Sequence, residues 1–181
     1  NAKDFARLAQ LADAFLGTGL RAAVAYRQYA QALIDSGCYE AAIPLLEGAV
    51  GLAADEGNQK EQSDIQGLLG RVYKDRYAAG GRQEDLERSV RAYRQIYEDP
   101  AFAENVDALV YTGINVVALV HRARRDGLDI ADPGAEDIAE NLIGLVEARV
   151  KANAASKWDY ATAMEACVAL DRPRDAIEWC I

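Results

Sequence analysis

Histidine is nearly missing from this chain: His121 is the only one in 181 residues. The three cysteines, Cys38, Cys167 and Cys180, form no CxxC pair. With one imidazole and no ligand spacing, a metal centre is excluded as the organising chemistry. Each cysteine lies in an apolar helical context and reads as a small core residue in a reducing compartment. Proline is scarce, and no segment alternates apolar and polar residues, which excludes a sheet-based fold. No apolar run approaches the roughly 20 residues that span a bilayer, and no signal-peptide pattern is visible, so a cytoplasmic location without membrane contact is expected. Bases are also short: Lys and Arg total 20 against 29 Asp and Glu, a net charge of −9. That balance excludes general nucleic-acid binding, which needs a basic surface. GxSxG, P-loop and HExxH motifs are all absent, so neither an enzyme nor a cofactor is expected here.

What is present is helix. Hydrophobic residues make up 51% of the chain, many of them Ala, which loses no side-chain entropy in a helix. Phe5, Leu8, Leu11, Ala12, Phe15 and Leu16 recur at helical steps up to Gly17. Further helices are expected over about Leu20 to Ser36, Tyr39 to Asp55, Ser63 to Ala79, Glu84 to Glu98, Ala103 to Arg125, Glu136 to Ala152 and Lys157 to Leu170. Another opens at Pro173. Gly37 is expected as a left-handed cap, Gly80-Gly81 as a break, and the segment from Gly127 to Gly134 as a loop. The chain starts at Asn1 without a Met and is expected to be one repeat domain, residues 1–181, cut from a larger multidomain protein. Arg outnumbers Lys, which points towards a bacterial source.

A repeat period separates a solenoid from a bundle. Tyr26, Tyr29, Ala30 and Leu33 on one helix are followed by Tyr39, Ala42, Leu46 and Ala49 on the next. This alternation of bulky and small positions is the tetratricopeptide pattern, in which small residues let paired helices approach closely. Tyr160, Ala163, Met164, Cys167, Ala176 and Cys180 repeat the frame. A middle copy runs through Leu69, Gly70 and Tyr73 and then Ser89, Tyr93 and Ile96, with a longer first helix. The fold class expected is therefore all-α: a tetratricopeptide-like helical-hairpin solenoid with degenerate, lengthened middle repeats. Uncapped ends of such arrays leave self-association open.

The run Gly70-Arg71-Val72-Tyr73-Lys74-Asp75 is the most specific local feature. Its apolar members point to a core, and Arg71, Lys74 and Asp75 share the opposite face at steps of three and four. Such a face is either solvated surface or a ligand site. The series LLGRVYKDRY, AYRQIYEDP, YTGINVVAL and WDYATAMEACVALDRPRDAIEW follows in order over residues 60–181. It resembles the tetratricopeptide-like central regulatory domain, a TRAF-binding region, of the apoptosis-signal-regulating kinases, and its bacterial sensor-type relatives. GRVYKD and GIN carry the likeness. Thr112 before Gly113-Ile114-Asn115, the linker from Gly127 to Pro133 and the Arg-rich stretch Arg122 to Arg125 depart from it. In the kinases the resemblance implies a scaffold that binds partner proteins. In the bacterial relatives it implies a sensor that reads a ligand and releases an attached effector.

Groove positions follow the small residue on the first helix of each pair. They select Gln31 and Asp35, with Arg27 one turn earlier, then Arg71, Lys74 and Asp75, and finally Glu165, with Trp158 near the groove mouth. Asn115 reads either as a ligand hydrogen bond beside Arg71 or as an inter-helix bond satisfying a buried amide. Arg71 offers a planar fork and Lys74 a mobile charge for carboxylate or phosphate, with Asp75 orienting Arg71. The expected ligand is anionic, a nucleotide-derived signal or an acidic peptide, and the alternative is a partner protein. Arg122, Arg124 and Arg125 read as a helix end, His121 as a surface residue, and Tyr26, Tyr29, Tyr73, Tyr93, Trp158 and Trp179 as packing residues.

Overall fold

A computed structural model describes residues 7, 10, 11, 13, 14, 17–19, 21–131 and 134–180. The expected first helix rests on Phe5, Leu8, Ala12, Phe15 and Leu16, which lie outside the described residues, as do Leu20, Pro133 and Ile181. No strand occurs among the described residues. The chain divides into two compact units, Asn1–Asp85 and Leu86–Ile181.

In the first unit, helices α1 (Ala23–Asp35) and α2 (Tyr39–Asp55) form a hairpin, and α3 (Gln59–Gly80) packs on both. Gly37 makes the turn, with φ +75° and its N–H donating to the Ile34 carbonyl at 2.9 Å. A left-handed residue there carries no Cβ penalty only if it is Gly. Ala30, Ala42, Leu46 and Ala49 are fully buried, so the repeat frame read from the sequence is the contact surface of the hairpin. Against it α3 places Ile65, Leu69, Val72 and Tyr73. Tyr26 and Tyr29 are only half-buried.

Helix α3 starts four residues before the expected Ser63. Its polar first turn has no apolar rhythm, but Asn58 caps it, accepting from the Glu61 N–H at 3.1 Å. Cap chemistry here outweighs periodicity. Asn58→Ala is expected to cost about 1 kcal/mol in urea unfolding, while Asn58→Asp should retain wild-type stability.

Helix α4 (Gln83–Tyr97) carries the chain from the first unit into the second. After a 3₁₀ turn at Pro100–Phe102, the second unit continues with α5 (Val106–Arg125), α6 (Ala135–Lys151), α7 (Lys157–Ala169) and α8 (Pro173–Glu178). Sequential helices from α5 to α8 pack in pairs, and α5 also meets α7. Val116, Val117, Val120, Leu142, Val146, Ala163 and Cys167 form its core. The first helices of the middle copies are long, 22 residues in α3 and 20 in α5, against 13 in each of α1 and α7. The middle repeats are thus lengthened as expected.

Two expectations fail. Cys38 and Cys180 are exposed, and only Cys167 is buried; the other two sit in a turn and just past the end of α8, where helix packing stops. Trp158 is 71% exposed rather than packed. It lies in the first turn of α7, where Asp159 takes the buried position and Lys157 covers the outward indole at 5.4 Å.

Candidate functional site

Helix α1 presents Arg27, Gln31 and Asp35 at steps of four, a spacing that aligns them on one face. Helix α3 presents Glu61, Arg71 and Asp75 towards it. The Gln31 amide nitrogen donates to Asp35 Oδ2 at 2.8 Å, and Arg71 Nη2 donates to Asp35 Oδ1 at 2.7 Å. Arg71 Nε lies 3.5 Å from Asp75 Oδ2. Lower on the same two helices, Arg27 Nε donates to Glu61 Oε1. Arg27 pairs with Glu61 and Asp35 with Arg71, so residue numbers rise together along both helices. They therefore run parallel, as first helices of successive hairpins must.

The structure thus brings together Gln31, Asp35, Arg71 and Asp75, with Arg27 on the same pair of helices and Lys74 one turn along from Arg71. Asp75 does flank Arg71, but the closer carboxylate is Asp35 from the preceding repeat. Arg71 and Lys74 carry two positive charges and Asp35 and Asp75 two negative, so this set is charge-balanced rather than cationic. A half-buried guanidinium in an acidic protein draws compensating carboxylates around itself. The Arg71 side chain remains 38% exposed, so its fork is reachable from solvent.

Asn115 and Glu165 lie in the second unit. The Asn115 amide nitrogen donates to the Tyr111 carbonyl at 2.8 Å, a bond within its own helix that neither expected role includes. Glu165 is exposed on α7. The neighbouring Gly113 is a close-packing point: a Cβ there would sit 2.8 Å from Tyr97 Cε2 and 3.0 Å from Leu142 Cδ2. The Tyr97 hydroxyl in turn accepts from the Asn141 amide nitrogen at 2.8 Å. His121 is exposed. Arg122 and Arg125 pair with Asp126, and Arg124 with Glu136, in keeping with a solvated helix end.

Three ionic groups escaped sequence reasoning. Glu61 is buried beneath Arg27. Asp85 is buried between Arg76, at 3.4 Å, and Arg82, at 3.0 Å. Asp159 is 2% exposed; it accepts from the Ser156 N–H at 2.7 Å and hydroxyl at 2.8 Å, and from Arg149 Nη1 at 2.7 Å. Burial pushes the Asp159 carboxyl up, but these hydrogen bonds and the Arg149 charge outweigh it and hold the group below the ordinary carboxylate range. Only the last was visible in sequence, as the capping-box spacing of Ser156 and Asp159. Among the described residues no helix is long and apolar enough to cross a membrane.

Residues 3–120, more than half of the chain, match the family described as Tetratricopeptide Repeats-Sensor. The match takes in residues 3–59, which the resemblance read from the sequence did not cover, and it includes both helices of the Arg71 set. Comparison with curated proteins and with solved structures gave no match.

Proposed function

The chain belongs to the Tetratricopeptide Repeats-Sensor family, and from that premise we propose that its first unit reads an anionic ligand in a groove between α1 and α3 and thereby controls an attached effector. The ligand is a nucleotide-derived signal or an acidic peptide, and the setting is bacterial conflict or stress signalling in the cytoplasm. The observation that supports this reading is the convergence of Gln31, Asp35, Arg71 and Asp75 from two successive repeats on one partly exposed guanidinium. A phosphate or carboxylate can replace Asp35 on the Arg71 fork, since bidentate anion binding suits arginine. Lys74 adds a second charge. Gln31 and Arg27 line the same face. Because Arg71 and Asp35 come from different helices, ligand exchange at this pair changes how α1 and α3 are tied, which is the physical form a signal takes.

Thermal-shift measurements against a panel of nucleotides and acidic peptides test the proposal. Arg71→Ala is expected to cost only about 1 kcal/mol of stability, since the pair is partly solvated, yet to abolish the ligand-induced shift, as Lys74→Ala should too. Asp35→Asn removes the competing carboxylate and should strengthen anion binding. Full ligand response in both alanine variants would sink the proposal.

A second reading, a scaffold for a partner protein, is favoured by one observation. Trp158, Ala161, Glu165 and Val168 form an exposed stripe along α7, and large exposed aromatic residues mark protein contacts. A partner captured from lysate by the wild type and lost with Trp158→Ala would favour it, whereas capture unaffected by that change would not.

A further inference from the structure

A separate feature of the second unit concerns α6, α7 and α8. A cavity of about 500 Å³ opens among them, within the size range of small-molecule sites. Tyr160 and Trp179 form an aromatic wall, their ring centres 6.0 Å apart and tilted by 56°. The lining carries four carboxylates, Glu140, Glu147, Asp175 and Glu178, against one guanidinium, Arg172.

Arg172 is already engaged. Its Nη1 donates to Glu140 Oε2 at 3.1 Å, and its Nη2 to Glu140 Oε1. The chain thus supplies its own example of a cation held in this wall. Among the described residues Glu147 meets only a loose, exposed contact with Lys151 at 4.0 Å. Glu147 stands two helical turns beyond Glu140, a rise of about 10 Å, while Asp175 and Glu178 share one turn of α8. The acidic groups are therefore spread along the cavity. Among the described residues no three of His, Cys, Asp or Glu converge closely enough to hold a metal ion, so the arrangement does not suit a point-like divalent cation. On the inner side the Cys167 thiol is pushed up, first by burial and then by the Asp175 charge, with the Arg172 charge acting against it.

We propose that this cavity binds a linear polyamine. Ammonium groups separated by short methylene chains match separated carboxylates, and the methylenes match the apolar and aromatic surface between them. The Tyr160 and Trp179 faces add cation–π attraction to any ammonium lying over them. Glu147, Asp175 and Glu178 hold the charges, and Glu140 stays with Arg172. This site lies in the second unit and stands independently of the Arg71 reading.

The test is titration of the full 181-residue chain with spermidine, by calorimetry and by Trp179 fluorescence in a Trp158→Phe background. The expected result is saturable one-site binding that changes Trp179 emission. Glu147→Gln with Glu178→Gln should weaken binding about tenfold or more, and Trp179→Leu should weaken it as well. Glu178→Gln alone, an exposed position, tests the same point if the double variant melts early. Unchanged affinity in Glu178→Gln and the double variant would overturn the proposal. So would an equal signal from Mg²⁺ at matched charge, which is mere counterion attraction to an acidic protein. Much tighter binding of a trilysine peptide would overturn it in favour of a basic protein partner.

Discussion

Replacing Asp159 with Ala is expected to destabilise the second unit by about 3 kcal/mol, read from urea unfolding. Three donors converge on this buried carboxylate: the Ser156 N–H and hydroxyl on one oxygen and Arg149 on the other. Removing it takes away one half of the α7 capping box and leaves Arg149, 22% exposed, with only the exposed Asp107 as partner among the described residues. Breaking a buried ion pair from one side costs about 3–5 kcal/mol, and cap loss about 1 kcal/mol. Partial solvation of Arg149 brings the sum to the lower end. Asp159→Asn keeps a capping oxygen but not the charge, so its loss should be smaller.

The same group sets an acid response. Its folded pKa lies below its unfolded value of about 3.9, so its contribution is fully present above that pH. It is lost as the pH falls through the folded value, because the unfolded chain takes up the proton first. Melting curves should therefore show the gap between wild type and Asp159→Asn narrowing below about pH 4. A gap constant down to pH 3 would mean that the carboxylate charge does not contribute.

Gly113→Val carries the second large effect, an expected loss of about 2–3 kcal/mol. Even the first added carbon would lie 2.8 Å from Tyr97 and 3.0 Å from Leu142, closer than side-chain carbons pack. Tyr97 cannot simply swing away, because its hydroxyl is held by Asn141, and Leu142 is fully buried. Gly113→Ala should cost less, since Ala regains about 1 kcal/mol of helix propensity. A double-mutant cycle with Tyr97→Ala decides the cause. If the clash is responsible, Gly113→Val becomes much milder once the ring is gone. Additive losses would place the cost elsewhere.

Much of this architecture is legible in the sequence. The turn at Gly37 and the buried Ala30, Ala42, Leu46 and Ala49 follow from spacing, because a 3.6-residue period decides which side chains face a neighbour. Helix starts were less legible: Asn58 and Asn105 cap α3 and α5, and a cap is a local hydrogen bond that leaves no apolar rhythm. The candidate site was legible as a set of residue types on one helix face. Its wiring was not. Asp35 and Arg71 are separated by 36 residues, and nothing in either segment states that they meet.

Exposure followed the same division. Trp158 and Asp159 are adjacent, and residue type alone ranks the indole inward and the carboxylate outward. The folded chain reverses them, because Ser156 and Arg149 supply enough hydrogen bonds to hold a buried charge. Residue order alone thus settled the all-helical class, the hairpin frame and the acidic, histidine-poor chemistry, since periodicity and composition are properties of neighbours along the chain. Packing settled which carboxylate holds Arg71, which glycine has no room for a side chain, and where acidic and aromatic groups line an open cavity. Those depend on distances between helices remote in sequence, which are set only when the helices meet.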